Sequence, residues 1–261
     1  MTEFNYKFDT LQVHAGSSPD PVSGARQTPI YQNTAYVFRD TAHAASLFNL
    51  EEVGYIYSRL NNPTVSALQD RLAALEGGVG AVCCSSGHSA QIMALLPLMN
   101  PGDNVIASNR LYGGSINQLS NFIKKFNWNA QFVDFENTDE IKKAFNSKTK
   151  AIFCESISNP GGHVNDINEI SKISNELEIP LIVDNTSATP YLCKPFDYGA
   201  NIITHSTTKY LSGNGTSLGG VVIDNASFNW SKSDKYPSLS EPEKGYHGLK
   251  FHETFGDLAF T

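Results

Sequence analysis

Hydrophobic positions in the first sixty residues follow no sustained period. Thr, Pro, Asn and Gly interrupt each short apolar run, and only Ala42 to Leu50 supports a helix. From Pro63 the pattern becomes regular. Val65, Leu68, Leu72 and Leu75 recur at helical spacing between that proline and the stop Gly77-Gly78, which predicts a helix. Short apolar runs then alternate with amphipathic ones. Strands are expected at Ala81–Cys84, Asn104–Ala107, Gln131–Phe135, Ala151–Glu155, Leu181–Asp184, Ile202–Thr204 and Gly220–Ile223. Helices are expected at His88–Met99, Ser115–Phe126, Thr138–Asn146 and Ile167–Leu177. Strands that are apolar throughout and separated by helices indicate an α/β fold, a mostly parallel sheet with helices on both faces. After Ile223 the chain turns Ser-, Lys-, Glu- and Pro-rich with scattered aromatics, and weaker order is expected there.

Composition narrows the picture. With 261 residues, 40% hydrophobic and 17% charged, the chain suits one sizeable domain with a filled core. A net charge of -7 without a basic cluster argues against a nucleic-acid surface. No apolar run is long enough to span a membrane and Met1-Thr2-Glu3-Phe4-Asn5 is no secretory start, so a cytoplasmic protein is expected. Cys83, Cys84, Cys154 and Cys193 show no metal-binding spacing; the first three fall in strand runs and are expected as small buried hydrophobes. No metal site is expected.

The candidate chemistry centres on His205-Ser206-Thr207-Thr208-Lys209-Tyr210, downstream of the strand end at Asp184. A lysine among hydroxyls, with a carboxylate emerging from a buried strand, has the groups that pyridoxal 5'-phosphate requires. The amine forms a Schiff base, hydroxyls hold the phosphate, and the carboxylate keeps the pyridine nitrogen protonated. Read singly, Lys209 is first a solvated surface charge, as most lysines are, and Asp184 a cap of the following turn. Ser85-Ser86-Gly87-His88 sits at a strand-to-helix junction that suits an anion, and equally suits a tight turn with an N-cap. Tyr57 and Arg59 offer a phenol and a planar guanidinium fork to a phosphate, or a loop ion pair. Tyr112 is either a ring-stacking tyrosine or a core one. A nucleotide-binding module is disfavoured, because no G-x-G-x-x-G follows the first strand and no G-K-[ST] occurs.

Taken in order, Tyr57 to Thr64, Ser85 to His88, Tyr112-Gly113-Gly114, Glu155 to Pro160, Asp184 and Ser206 to Lys209 resemble the Cys/Met-metabolism family of pyridoxal-phosphate enzymes. The resemblance runs from about Leu11 to the last residue. It implies the large domain of a fold-type I pyridoxal-phosphate transferase, with a mostly parallel seven-stranded sheet. It implies Lys209 as covalent anchor and shuttling base, Asp184 opposite the pyridine nitrogen, and Tyr112 stacked on the ring and aiding proton transfer. The amides of Gly87 and His88 and the hydroxyls of Ser206 and Thr208 would hold the phosphate, with Asn159 near the 3'-oxygen and Thr186 and Glu155 supporting Asp184. Tyr57 and Arg59 would reach the active site of an adjacent subunit of a homo-oligomer, a dimer of dimers. Residues 1–62 would then form an arm on a neighbour and residues 63–261 the cofactor-binding domain. Family members continue into a small C-terminal domain that this chain lacks, and no arginine follows Arg110 to hold a substrate carboxylate. The chain alone is therefore expected to turn over poorly.

His14-Ala15-Gly16, Gly213-Asn214-Gly215-Thr216-Ser217 and Tyr246-His247-Gly248 further resemble the O-acetylhomoserine sulfhydrylase branch. That implies a transferase making L-homocysteine and acetate from O-acetyl-L-homoserine and sulfide. Two alternatives stay open: a cystathionine γ-synthase or lyase, and a cofactor-binding remnant without catalysis.

Overall fold

The computed structural model describes residues 6–232 and 234–261. The chain divides into two units, Met1–Leu75 and Glu76–Thr261. The larger one contains the sheet. Its strands are β1 (Gly80–Cys84), β2 (Asn104–Ser108), β3 (Asn129–Val133), β4 (Thr149–Glu155), β5 (Leu181–Asp184), β6 (Ile202–Ser206) and β7 (Gly220–Asp224). They lie in the order β1-β7-β6-β5-β4-β2-β3. β7 alone is reversed, antiparallel to β1 and to β6, and every other pairing is parallel. All seven expected strands form. β3 starts and ends two residues earlier than its apolar run suggested, because Phe135 leaves the ladder and is buried beside Ile141.

In chain order the helices are α1 (Phe8–His14), α2 (Thr41–Phe48), α3 (Pro63–Glu76), α4 (Gly87–Leu95), α5 (Gly113–Asn117), α6 (Thr138–Ala144), α7 (Ile167–Leu177), α8 (Thr189–Leu192), α9 (Pro237–Ser240) and α10 (Phe251–Phe255). Both sheet faces are covered, as the apolar strands require. Ile106, Ile152, Cys154, Leu181 and Val183 point to Ile141 of α6 and Ile167, Ile170 and Ile173 of α7. Their alternating neighbours Val105, Ala107, Phe153, Ile182 and Ile202 point to Ala90, Ala94 and Leu95 of α4. The helix expected over Ser115–Phe126 is broken into α5, a wide turn at Gln118–Phe122 and a tight one at Ile123–Phe126. Leu119 and Ile123 keep its buried face across those changes.

The stretch after Ile223 is better ordered than its composition suggests. Trp230, Tyr236 and Leu239 join the main core. Tyr236 is wholly buried, and its hydroxyl donates to the Lys150 carbonyl at 2.9 Å. Trp230 stacks on Phe260 with ring centroids 5.3 Å apart and meets Tyr236 edge-on at 5.4 Å. Irregularly spaced aromatics give no period, yet each carries enough apolar area to dock a loop.

The smaller unit is organised by polar side chains gripping backbone. Arg71 on α3 donates to the carbonyls of Ala15 and Val13 and to the Ser17 hydroxyl. Thr64 donates to the Pro29 carbonyl and accepts from the Tyr31 amide. α1 was not expected from the sequence; its seven residues include no buried one, so it has no hydrophobic stripe to read. All four cysteines are free; Cys154 is fully buried, but Cys83 and Cys84 are only half-buried. Among the described residues no helix is long and apolar enough to cross a membrane.

If the tail is part of the core, Trp230→Ala should destabilise the chain by about 3–5 kcal/mol, and Tyr236→Phe by about 1 kcal/mol. Urea unfolding followed by far-ultraviolet circular dichroism measures both. Unchanged midpoints would mean that the tail is merely tethered.

Candidate active site

Because β1, β2, β4, β5 and β6 run the same way, their carboxyl ends share one edge of the sheet, and the reversed β7 begins there. Ligands of open α/β sheets bind outside that edge. The turns leaving these strands carry Ser86-Gly87-His88, Tyr112, Glu155, Asp184 and Ser206 to Lys209.

Asp184 is the last residue of β5 and is buried. Its Oδ1 accepts from the Thr186 amide at 3.0 Å and from the Thr186 hydroxyl at 2.5 Å. Its Oδ2 accepts from Gln91 Nε2 on α4 at 3.1 Å, and that nitrogen also donates to the Ser115 hydroxyl at 2.8 Å. The Thr186 hydroxyl in turn accepts from the Ser206 amide at 2.8 Å. One threonine thus links the carboxylate on β5 to the first hydroxyl-bearing residue of the Ser206–Lys209 segment.

Glu155 ends β4 and pairs in register with Asp184 on the neighbouring strand. One of its oxygens accepts from the Tyr112 amide at 2.6 Å and the other from the Asn159 amide at 3.0 Å. A single carboxylate therefore ties the loop after β2 to the loop after β4. Burial pushes the Glu155 carboxyl up to about 7; the two amides oppose this, and Asp184 adds to it. Tyr112 is half-exposed, and its ring lies near that of His88 at 6.0 Å and a 27° tilt.

On the other side, Ser86 caps α4 by accepting from the Ser89 amide, which leaves Gly87 and His88 in the first helical turn. Two glycines allow the strands to close up here. A Cβ on Gly220 would sit 2.0 Å from the Ser86 carbonyl oxygen, and one on Gly87 2.6 Å from the Ser206 Cβ. The helix N-terminus is thereby held against Ser206. The Thr208 hydroxyl accepts from the Gly219 amide at 3.1 Å, and Lys209 follows in an exposed turn, its carbonyl accepting from the Gly213 amide.

The structure therefore brings together Gly87, His88, Tyr112, Asn159, Asp184, Thr186 and Ser206, with Thr208 and Lys209 on the adjoining turn. Tyr57 and Arg59 belong to the smaller unit. Both are exposed there, with the guanidinium 5.6 Å from the Tyr57 ring centroid. Gln91 and the two-handed grip of Glu155 were not foreseen. Gln91 did leave a signal, as a lone amide within the apolar run Ala90-Gln91-Ile92-Met93-Ala94-Leu95.

An anion-ready helix start beside a hydroxyl, a buried carboxylate, a half-exposed aromatic ring and a following lysine fit a phosphorylated, ring-bearing cofactor carried on that lysine. This defines the class, a pyridoxal-phosphate cradle on a fold-type I sheet. The sequence matches the Cys/Met metabolism pyridoxal-phosphate-dependent enzyme family over residues 9–244, and the chain belongs to that family. It is 47% identical over 252 residues to the O-acetyl-L-homoserine sulfhydrylase of Leptospira meyeri, covering 97% of this chain and 57% of that protein. Among solved structures it resembles one from Campylobacter jejuni assigned as O-acetylhomoserine (thiol)-lyase, with a pyridoxyl-lysine phosphate at its lysine. There the TM-score is 0.94 at 41% identity, over 98% of this chain and 63% of that one. Cystathionine γ-lyase from Lactobacillus plantarum matches at a TM-score of 0.77 and 33% identity, over 84% of this chain and 55% of that one. The chain thus spans little more than half the length of such relatives.

The raised Glu155 carboxyl has a testable sign. Between the ordinary value of 4.5 and about 7 the folded chain holds a proton that the unfolded chain has lost. Stability from this group is therefore present below that window and falls as pH rises through it. Glu155→Gln in the cofactor-free chain should flatten the decline of unfolding free energy between those pH values, measured by urea titration. An unaltered slope would remove Glu155 as its source.

Proposed function

We propose that the protein catalyses γ-replacement on O-acetyl-L-homoserine, exchanging acetate for sulfide to give L-homocysteine. It would act in the cytoplasm as a homo-oligomer whose arms, residues 1–62, serve neighbouring subunits. The observation that carries the reading is Lys209, beyond Ser206 and Asp184 in the chain order of the family, in a fold that superposes on a thiol-lyase over nearly its whole length.

Bound pyridoxal phosphate supplies an electron sink for a negative charge developing at the substrate α-carbon. The chain's residues do the rest. Lys209 Nζ would anchor the cofactor and serve as the base for the substrate Cα proton. Asp184 would hold the proton on the pyridine nitrogen, and its orientation comes from Thr186 and Gln91. The Gly87 and His88 amides and the Ser206 and Thr208 hydroxyls would hold the phosphate, with Asn159 at the 3'-oxygen and Tyr112 at the ring. Tyr57 and Arg59 supply a second phosphate clamp across the subunit boundary.

A cystathionine γ-synthase or lyase would use the same lysine. The sulfhydrylase reading is favoured by the higher structural match to the thiol-lyase than to the cystathionine lyase. Sulfide carries no amino-acid head, so its site requires no second carboxylate clamp. Cysteine does, and an unpaired buried carboxylate costs several kcal/mol, roughly a thousandfold in rate.

Two measurements test this. Borohydride reduction of the protein with pyridoxal phosphate should place the adduct on the Lys209 peptide in mass spectrometry; an adduct on another lysine overturns the assignment. The protein as its own cell makes it, given O-acetyl-L-homoserine with equal sulfide and cysteine, should form mainly homocysteine. Predominant cystathionine would move it to the synthase branch.

A further inference from the structure

Beneath the cradle lies a second polar cluster that binds no part of the proposed cofactor. Glu76, His205 and Asn185 are each 0 or 1% exposed. A single carboxylate oxygen of Glu76 accepts from His205 Nε2 at 2.6 Å and from Asn185 Nδ2 at 2.9 Å. Asn185 also donates through Nδ2 to the Cys193 carbonyl and through its backbone amide to the Thr204 carbonyl. The placement in sequence gives the cluster its meaning. Asn185 directly follows Asp184 at the end of β5, and His205 directly precedes Ser206 at the end of β6.

Strand ends are where pairing stops, and β5 and β6 pair only from Ile182 to Asp184. Beyond that, one backbone bond still ties them, from the Asn185 amide to the Thr204 carbonyl, and side-chain bridges add to it in setting the distance between Asp184 and Ser206. There are two such bridges. The Thr186 hydroxyl bridges Asp184 and the Ser206 amide. Glu76 bridges their immediate chain neighbours, Asn185 and His205. Side chains of successive strand residues face opposite sides of the sheet, so the second bridge acts from the side away from Ser206. A buried carboxylate is costly to place here for packing alone, where an apolar residue would serve.

We propose that Glu76 is a positioning residue: through His205 and Asn185 it fixes the spacing between Asp184 and Ser206, and with it the fit of the phosphate and the pyridine nitrogen of one bound cofactor. This rests on the reading of the edge as a cofactor cradle. Glu76→Ala removes the acceptor of two buried donors. Glu76→Gln keeps an oxygen where both donors point and replaces the other carboxylate oxygen by an amide NH2.

The test is made on the 261-residue chain in two arms. In the first, without cofactor, hydrogen exchange is followed by mass spectrometry over the Asp184–Thr186 and Thr204–Thr208 backbone. Glu76→Ala should speed exchange of the Asn185 and Ser206 amides at least about tenfold, and Glu76→Gln by no more than about threefold. In the second, pyridoxal phosphate is titrated and the visible absorbance of the bound form is read. Glu76→Ala should weaken binding at least about tenfold, while Ile141→Ala, a core change under β3, should leave it within about twofold despite a lower melting temperature. Unchanged protection at both amides overturns the proposal. So does an affinity loss that Ile141→Ala reproduces at equal loss of stability. Should Glu76→Ala not fold, Asn185→Ala, which removes one donor of the bridge, is read in the same two arms, and the same outcomes support or overturn the proposal. Wild-type chain that takes up no pyridoxal phosphate would sink the functional reading, and the exchange arm would still decide whether Glu76 sets the strand-end spacing.

Discussion

The buried carboxylate of Asp184 is the constraint around which this edge of the sheet is built. A carboxylate enclosed to this degree needs donors, since desolvation disfavours it by several kcal/mol if left alone. Three nearby groups meet that need, the amide and hydroxyl of Thr186 and the side-chain amide of Gln91. They come from two different parts of the local structure, the turn after β5 and the helix α4. Supplying them fixes those parts relative to one another. The Thr186 hydroxyl donates to Asp184 and at the same time accepts from the Ser206 amide. The orientation of the Asp184 carboxylate and the position of Ser206 thus follow from one side chain.

The reversed strand β7 makes the other half of the site possible. Placed between β1 and β6, it brings the turn after β1 beside the turn after β6, although these segments are far apart in sequence. The approach is so close that Gly220 has no room for a Cβ against the Ser86 carbonyl. A glycine in a central strand normally weakens it, and here it allows the N-terminus of α4 to face Ser206. The same closeness leaves Gly219 within reach of the Thr208 hydroxyl, so the turn that carries Lys209 is tied back to the sheet.

Much of this was legible in the sequence, for physical reasons that also explain the gaps. Runs such as Leu181-Ile182-Val183 are apolar on both faces because helices cover both, so every strand of the sheet could be read. Asp184, Lys209 and the Ser85-to-His88 junction stood out because their chemistry is at odds with the apolar runs beside them. Glu76 did not stand out. A glutamate at the end of a helix before Gly77-Gly78 looks like any solvated last-turn residue, and only the fold shows that it meets His205 and Asn185. Trp230 and Tyr236 were hidden for the opposite reason: the polar residues around them set the composition, while two large rings decide where that segment packs. The double grip of Glu155 was also invisible, since it is made to backbone amides, which no side-chain pattern records.

Glu155 and Asp184 are directly paired across β4 and β5, so two buried carboxylates stand side by side at the centre of the edge. Asp184 is held by two side-chain donors besides one backbone amide. Glu155 has backbone amides only, and burial raises it toward neutrality, with the Asp184 charge adding to the shift. In the proposed cradle, the carboxylate better supplied with donors is the one that would lie opposite the pyridine nitrogen. The other, Glu155, binds the loops of Tyr112 and Asn159, and burial raises its carboxyl to about 7. The two strand ends therefore fix different neighbours, Asp184 its own turn and helix α4, and Glu155 the loops of Tyr112 and Asn159.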